Sequence, residues 1–239
     1  MHKRGAAHRG LVLFCGPMPP ASGLVVYVDY DGTITDQDTF AVLARDLVPP
    51  ARWQQLEDQL AEGSLALREM LSIHASYMRI SIAEADAILT QRVAFDASFS
   101  DFVAECERHM IPVAVLSSGV AALIACAMGR NGLARVELLA SDVAIEPQGW
   151  VFRHRDESAN GHDKAATVRR AQAAGHKVVF IGDGVSDYAA ALAADLRFAK
   201  RGRPLEGFLR ERQIPFTAFT TFTQVQAALF PPPPASDQS

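Results

Sequence analysis

Three short apolar runs, Leu24 to Val28, Pro112 to Leu116 and Lys177 to Ile181, each stop abruptly, the first two at Asp29 and Ser117 and the third at Gly182-Asp183. Runs of this length, rich in β-branched residues and apolar on both faces, are strands of a parallel sheet covered on both sides. Between and beyond them lie stretches of helical composition: Ser98 to His109, the segment after Gly119, Lys164 to Ala174, and Asp187 to Ala194. Further strands are expected at Val136 to Ala140 and Leu196 to Ala199, with a short β pair around Val143 to Ala144 and Val151 to Arg153. Alternating strands and helices predict an α/β fold with a doubly wound parallel sheet, whose ligands bind at the carboxyl ends of the strands. All three abrupt endings fall on that edge.

The residues there carry chemistry. In Val-Asp-Tyr-Asp-Gly, Asp29 and Asp31 are two apart, so in extended chain they point the same way before Gly32 lets the backbone turn. One carboxylate can attack an electrophile while the other handles a proton. Ser117, Ser118 and Gly119 precede a helix, offering hydroxyls and free N–H groups to a phosphate. Lys164, at a predicted helix start, supplies a point charge for a phosphoryl oxygen. Asp183 and Asp187, with Asp29, make a set of hard oxygen ligands suited to Mg2+. Without a cation, mutual repulsion would raise carboxylate pKa values and repel an anionic substrate. Each piece read alone also fits a turn, a helix cap or a solvated lysine.

Of 239 residues, 49% are hydrophobic and 21% charged, which excludes a long disordered chain, and the net charge of -4 argues against nucleic acid or an anionic membrane as the main partner. No stretch approaches the roughly 20 apolar residues of a membrane span. Cys15, Cys106 and Cys126 lack metal-ligand spacing, and the expectation is buried free thiols in a cytoplasmic protein that is monomeric or homodimeric. Residues 1-23 read as a flexible extension and 231-239 as a disordered, Pro-rich tail. Residues 39-95, rich in Ala, Leu, Glu, Gln, Arg and Met, read as a helical insertion, with turns near Pro49-Pro50, Gly63-Ser64 and Ile80-Ser81. Residues 24-38 and 96-230 then form the α/β core. Ser81 and Glu84 have the spacing of a capping box.

Taken in order, Asp29-Tyr30-Asp31-Gly32-Thr33, Ser117, Lys164 and Gly182-Asp183-Gly184-Val185-Ser186-Asp187 resemble the four motifs of the haloacid dehalogenase-like superfamily of phosphatases, over about residues 24 to 230. The resemblance implies a Rossmann-like core and, because the insertion lies between motifs one and two, a helical cap of the phosphoserine phosphatase branch. It further implies that Asp29 forms an aspartyl phosphate and that Asp31 acts as acid, then as base. Mg2+ would be held by Asp29, the Asp31 main-chain carbonyl and Asp183, with Asp187 orienting a water ligand or Lys164, and the phosphate by Thr33, Ser117 and Lys164.

For the substrate, a small phosphorylated metabolite, Asp38 falls where phosphoserine phosphatases carry a glutamate for the amino group, but His74 falls near their carboxylate-binding arginine, a departure. Asp-Tyr-Asp-Gly-Thr-Ile-Thr at 29 to 35 and the tail from Ile214 to Phe222 are more similar to the methionine-salvage phosphatases of 2-hydroxy-3-keto-5-methylthiopentenyl-1-phosphate. Trp53, Met70, Tyr77 and Met78 are candidates to line a thioether pocket, or simply to pack the cap. A phosphotransferase passing the phosphoryl group to an alcohol, and an inert phosphometabolite-binding protein, are the alternatives.

Overall fold

The computed structural model describes residues 23–231; the readings made for Cys15, for residues 1–22 and for 232–239 lie outside them. Strand β1 (Leu24–Asp29) is followed by four helices, α1 (Thr39–Leu47), α2 (Pro50–Ala61), α3 (Leu67–Ala75) and α4 (Ile82–Arg92). Next come α5 (Ser98–Arg108), β2 (Val113–Val120), α6 (Ala121–Arg130), β3 (Glu137–Glu146) and β4 (Gly149–Arg153). Then α7 (Lys164–Ala173), β5 (Lys177–Gly182), a 3-10 turn (Val185–Asp187) leading into α8 (Tyr188–Ala193), β6 (Leu196–Lys200), α9 (Pro204–Glu211), β7 (Thr217–Phe219) and α10 (Phe222–Leu229) complete the described chain.

The strands form one sheet in the order β4-β3-β2-β1-β5-β6-β7, parallel throughout except for the antiparallel β3–β4 pair. Alternation along β1 sends Val26 and Val28 into a core with Phe99, Phe102, Ile124 and Phe222, and Val25 into an opposite core with Val168, Phe180, Leu205 and Leu209. Register sets the functional edge. Asp29 pairs with Leu116 and Val28 with Ile181, so Asp29, Ser117 and Asp183 arrive together at one edge.

The insertion has a core of its own, in which Phe40, Leu43, Leu71, Met78 and Leu89 pack with Trp150 and Phe152 of β4. Trp150 is fully buried and donates from Nε1 to the Ile80 carbonyl at 2.7 Å, tying the hairpin to the turn before α4. Gly149 makes the approach possible: its φ is +139°, and a Cβ there would stand 2.2 Å from the Ser76 carbonyl oxygen. The Ser81 capping box forms, with Glu84 N–H bonded to Ser81 Oγ and the Ser81 N–H to Glu84.

Some elements differ from the sequence reading. The strands expected at Val136 to Ala140 and Val143 to Ala144 are one strand, β3, which starts at Glu137, because no glycine or proline interrupts it and Asp142 pairs across to Arg153. β2 continues past Leu116 to Val120 through a bulge, where Leu116 pairs with Leu139 but Val120 already with Ser141. Ser117 to Gly119 are therefore bulged strand rather than a helix-capping loop. Cys106 is buried as expected, whereas Cys126 is exposed. Helix α6 is apolar nearly all round, and the face it buries carries Leu123, Ile124 and Met128 instead.

Candidate active site

The edge where β1, β2 and β5 end opens into a cleft of about 960 Å3, lined on the sheet side by Asp29, Asp31, Ser117, Ser118, Gly119, Lys164 and Asp183. The lower wall is held by charge. Lys164 is buried, with Nζ 2.5 Å from Asp29 Oδ1 and 2.7 Å from Asp187 Oδ1. Asp187 fills its other oxygen with the N–H groups of Asp183 and Gly184, at 3.0 and 3.1 Å, which fixes the turn after β5. Thr33 Oγ1 donates to Asp29 Oδ2 at 3.0 Å, so both oxygens of Asp29 are oriented.

Carboxylate oxygens of Asp29, Asp183 and Asp187 lie within 4.8 Å of one another. Three carboxylates against the Lys164 ammonium, with the Arg203 guanidinium only at 4.0 Å from Asp183, leave an excess of negative charge of the kind a divalent ion would neutralise. Burial, reinforced by Asp187, holds Asp29 well above the usual carboxylate range, Lys164 opposing. Burial and then Asp187 likewise push Asp183 up to about 7. Burial opposes the charge on Lys164, but Asp187 and Asp29 outweigh it and raise its pKa. Gly32 shapes this space, for at φ +75° it has no Cβ, and one would sit 2.1 Å from Asp183 Oδ2. The oxygen donors and their excess charge fit a hard divalent cation.

Asp31 lives in a different environment. Its Oδ1 accepts from the Thr39 N–H at 2.8 Å and from Thr39 Oγ1 at 2.6 Å, and its Oδ2 from Ser117 Oγ at 3.2 Å. Its carboxylate thus faces Thr39 and Ser117 and is not part of the acidic trio. Two carboxylates two residues apart are separated in this way into one bound to a cation and one held by neutral donors.

The remaining predicted residues divide. Ser118 lines the cleft with a buried hydroxyl that has no partner among the described residues, and Asp38 lines it too while capping α1 through the Ala41 N–H at 2.7 Å. Thr33 spends its hydroxyl on Asp29 and does not line the cleft. His74 does not reach the cleft either: it is buried in the insertion, stacked on Trp53 with ring centroids 4.7 Å apart. Burial, then Arg52, lowers its pKa to about 4. Trp53, Met70, Tyr77 and Met78 likewise pack the insertion and are not cleft residues. His162 is buried behind the site and donates from Nδ1 to the Ser117 carbonyl at 3.1 Å. Its desolvation lowers its pKa to about 4.

Two contributors escaped the sequence reading. Thr39 carries no motif, and only its place as the residue after an N-cap Asp38 hints that it is fixed. Arg203 lines the cleft, with Nε 4.0 Å from Asp183 Oδ2, and bonds the Asp36 carbonyl at 2.5 Å. The insertion supplies the upper wall through Phe40, Leu60, Leu65, Leu67 and Leu71, with the carboxylates Glu57 and Glu69.

A family model described as haloacid dehalogenase-like hydrolase matches residues 26–192. The chain is 34% identical over 216 residues to Pdp3-interacting factor 1 of Schizosaccharomyces pombe, covering 86% of this chain and 94% of that one. It is 29% identical to the polyol phosphate phosphatase PYP1 of Saccharomyces cerevisiae, over 86% of this chain and 92% of the relative. Identity to the 2-hydroxy-3-keto-5-methylthiopentenyl-1-phosphate phosphatase of Brevibacillus brevis is 26%, over 84% and 93%. A substrate-bound phosphoserine phosphatase superposes with a TM-score of 0.65 at 18% identity, over 85% of this chain and 97% of that one, a likeness of fold. Among the described residues no helix is long and apolar enough to cross a membrane.

Proposed function

We propose, from the premise that the chain belongs to the haloacid dehalogenase-like hydrolase family, that it is a Mg2+-dependent phosphatase acting through an aspartyl phosphate at Asp29. The observation that carries this reading is the pair of unlike carboxylates: Asp29 locked to Lys164 inside an acidic trio, and Asp31 outside it, held by Thr39 and Ser117. Asp29 and Asp183 would hold the ion, with Asp187 holding Lys164 and the 182–184 turn. Held there, Mg2+ would supply positive charge against the phosphoryl group. Lys164, Ser117, Ser118 and the Gly119 backbone receive the phosphate, Asp29 attacks phosphorus, and Asp31 gives its proton to the leaving oxygen. Water then attacks the same phosphorus as Asp31 takes its proton. Residues 39-95 act as the cap over the core formed by 24-38 and 96-230.

The cleft also bears on the ester. Its upper wall presents leucines and the carboxylates Glu57 and Glu69 and, among the described residues, no cation, while Arg203 lies on the sheet side, 4.0 Å from Asp183. A wall of this kind offers nothing to a substrate carboxylate, which disfavours phosphoserine. It suits a monophosphate whose remaining chain is uncharged and hydroxylated, a description that covers both polyol phosphates and the methylthio-ketose enol phosphate.

Phosphate release from a panel of metabolites tests this, with acceptor alcohols added to expose transfer. Polyol or methylthio-ketose esters should exceed phosphoserine by about a hundredfold in kcat/KM, roughly 2.7 kcal/mol. Asp29→Asn should lower kcat by about 10^4-fold or more with the fold intact. No Mg2+-stimulated release from any ester, or an active Asp29→Asn protein, contradicts the reading.

A further inference from the structure

The two oxygens of Asp31 are not equivalent, and the residue that makes them so belongs to the insertion. Oδ1 receives two donors from Thr39, the backbone N–H at 2.8 Å and the hydroxyl at 2.6 Å. Thr39 is the first residue of α1, buried, and followed by Phe40, Leu43 and Ala44, which anchor the helix in the insertion core. Its N–H is one of the helix amides without an intrahelical acceptor, a site where negative charge is favoured. Among the described residues Oδ2 has only the Ser117 hydroxyl, at 3.2 Å, a group able to donate or accept, and it lies on the side of Gly119, where a Cβ would come within 2.9 Å of it.

An oxygen that accepts two hydrogen bonds cannot readily carry a proton as well, because the proton would meet hydrogens already aimed at its lone pairs. We propose that Thr39 is a positioning residue that reserves Oδ1 as a permanent acceptor and so directs the catalytic proton of Asp31 to Oδ2. The inference rests on the acid and base role of Asp31 proposed above and goes beyond it. In the first step the bond from phosphorus to the ester oxygen breaks as the Asp29–phosphorus bond forms, and the Oδ2 proton passes to the departing oxygen. In the second, water oxygen bonds to phosphorus, the Asp29–phosphorus bond breaks, and Oδ2 recovers a proton from that water. Through Thr39, the seating of α1 sets the direction of this proton.

The test is the dependence of kcat/KM on leaving-group acidity, measured with phosphate monoesters from alkyl alcohols to nitrophenols. Thr39→Val keeps the shape and the N–H but removes the hydroxyl. It should lose about tenfold to a hundredfold on alkyl esters, the worth of one hydrogen bond to a charged group, and less than about threefold on nitrophenyl esters, whose leaving groups need no proton. Thr39→Ser should restore the alkyl activity. Gly119→Ala, which crowds Oδ2 from the other side, should steepen the same dependence, and it keeps the idea testable if the valine protein fails to fold. Equal losses across the series, or no loss on alkyl esters, would overturn the role of Thr39. Asp31→Asn separates the two levels: if it shows no leaving-group discrimination, the acid assignment itself falls.

Discussion

The sheet edge and the helical insertion face each other across one cleft, yet they are held by different physics. The edge is a network of buried charges, Asp29, Lys164, Asp183 and Asp187, fixed by register and by hydrogen bonds of 2.5 to 3.1 Å. The insertion is held by apolar packing around Phe40, Leu43, Met78 and Trp150, and it turns leucines and two glutamates to the cleft. Charge networks fix atoms to fractions of an ångström but collapse when one member is lost. Apolar packing tolerates change in shape. In the proposed function, reaction chemistry accordingly sits on the first, and choice of ester on the second.

The contrast can be broken in graded ways. Lys164→Met should be the severest for stability, since it strands Asp29 and Asp187 without their cation in a buried site; a loss of about 3–5 kcal/mol in urea unfolding is expected. Its partial rescue by added Mg2+ would show that the missing positive charge is the cause. Trp150→Ala removes a buried ring and its bond to the Ile80 carbonyl, an expected cost of about 3–5 kcal/mol if the cluster cannot relax, and less if it collapses. With saturating Mg2+, this variant should raise KM far more than it lowers kcat, whereas changes at the sheet edge should do the reverse.

The mildest change sharpens the comparison through pH. His74 in the insertion and His162 behind Ser117 are both buried, with pKa values lowered to about 4. The unfolded chain protonates these imidazoles near pH 6.5 and the folded one does not, so stability falls as pH drops from about 6.5 towards 4. His74→Phe preserves the stack on Trp53 and removes one of the two, and should reduce this acid loss by on the order of 1–3 kcal/mol. Unfolding curves at pH 7 and pH 5 check it; an unchanged pH dependence would mean that His74 is already charged in the folded state.

The same contrast explains what could be read from the chain alone. Asp29, Ser117 and Asp183 were legible because each directly follows the apolar run of a central strand, where position in sequence nearly determines position in space. Lys164 was legible from its order among them. His74 was misplaced because the resemblance to phosphoserine phosphatases puts it at the substrate, and position in sequence does not tell whether a helix face meets a cleft or a core. Cys126 fails for the related reason that α6 has no clear polar side. Thr39 and Arg203 reach the site through loops: the 31–39 segment is folded back by the Tyr30 carbonyl, which accepts from the N–H groups of Thr33, Ile34 and Thr35. The bond from Arg203 to the Asp36 carbonyl joins residues far apart in sequence, which no local pattern announces.

The central claim, that Asp29 is the attacking group, is most directly tested by trapping. Protein mixed with a good ester and Mg2+, quenched in acid and reduced with borohydride, should show Asp29, and no other aspartate, converted to homoserine in peptide mass spectra. Conversion at a different aspartate, or steady turnover with no carboxylate ever reduced, would contradict it.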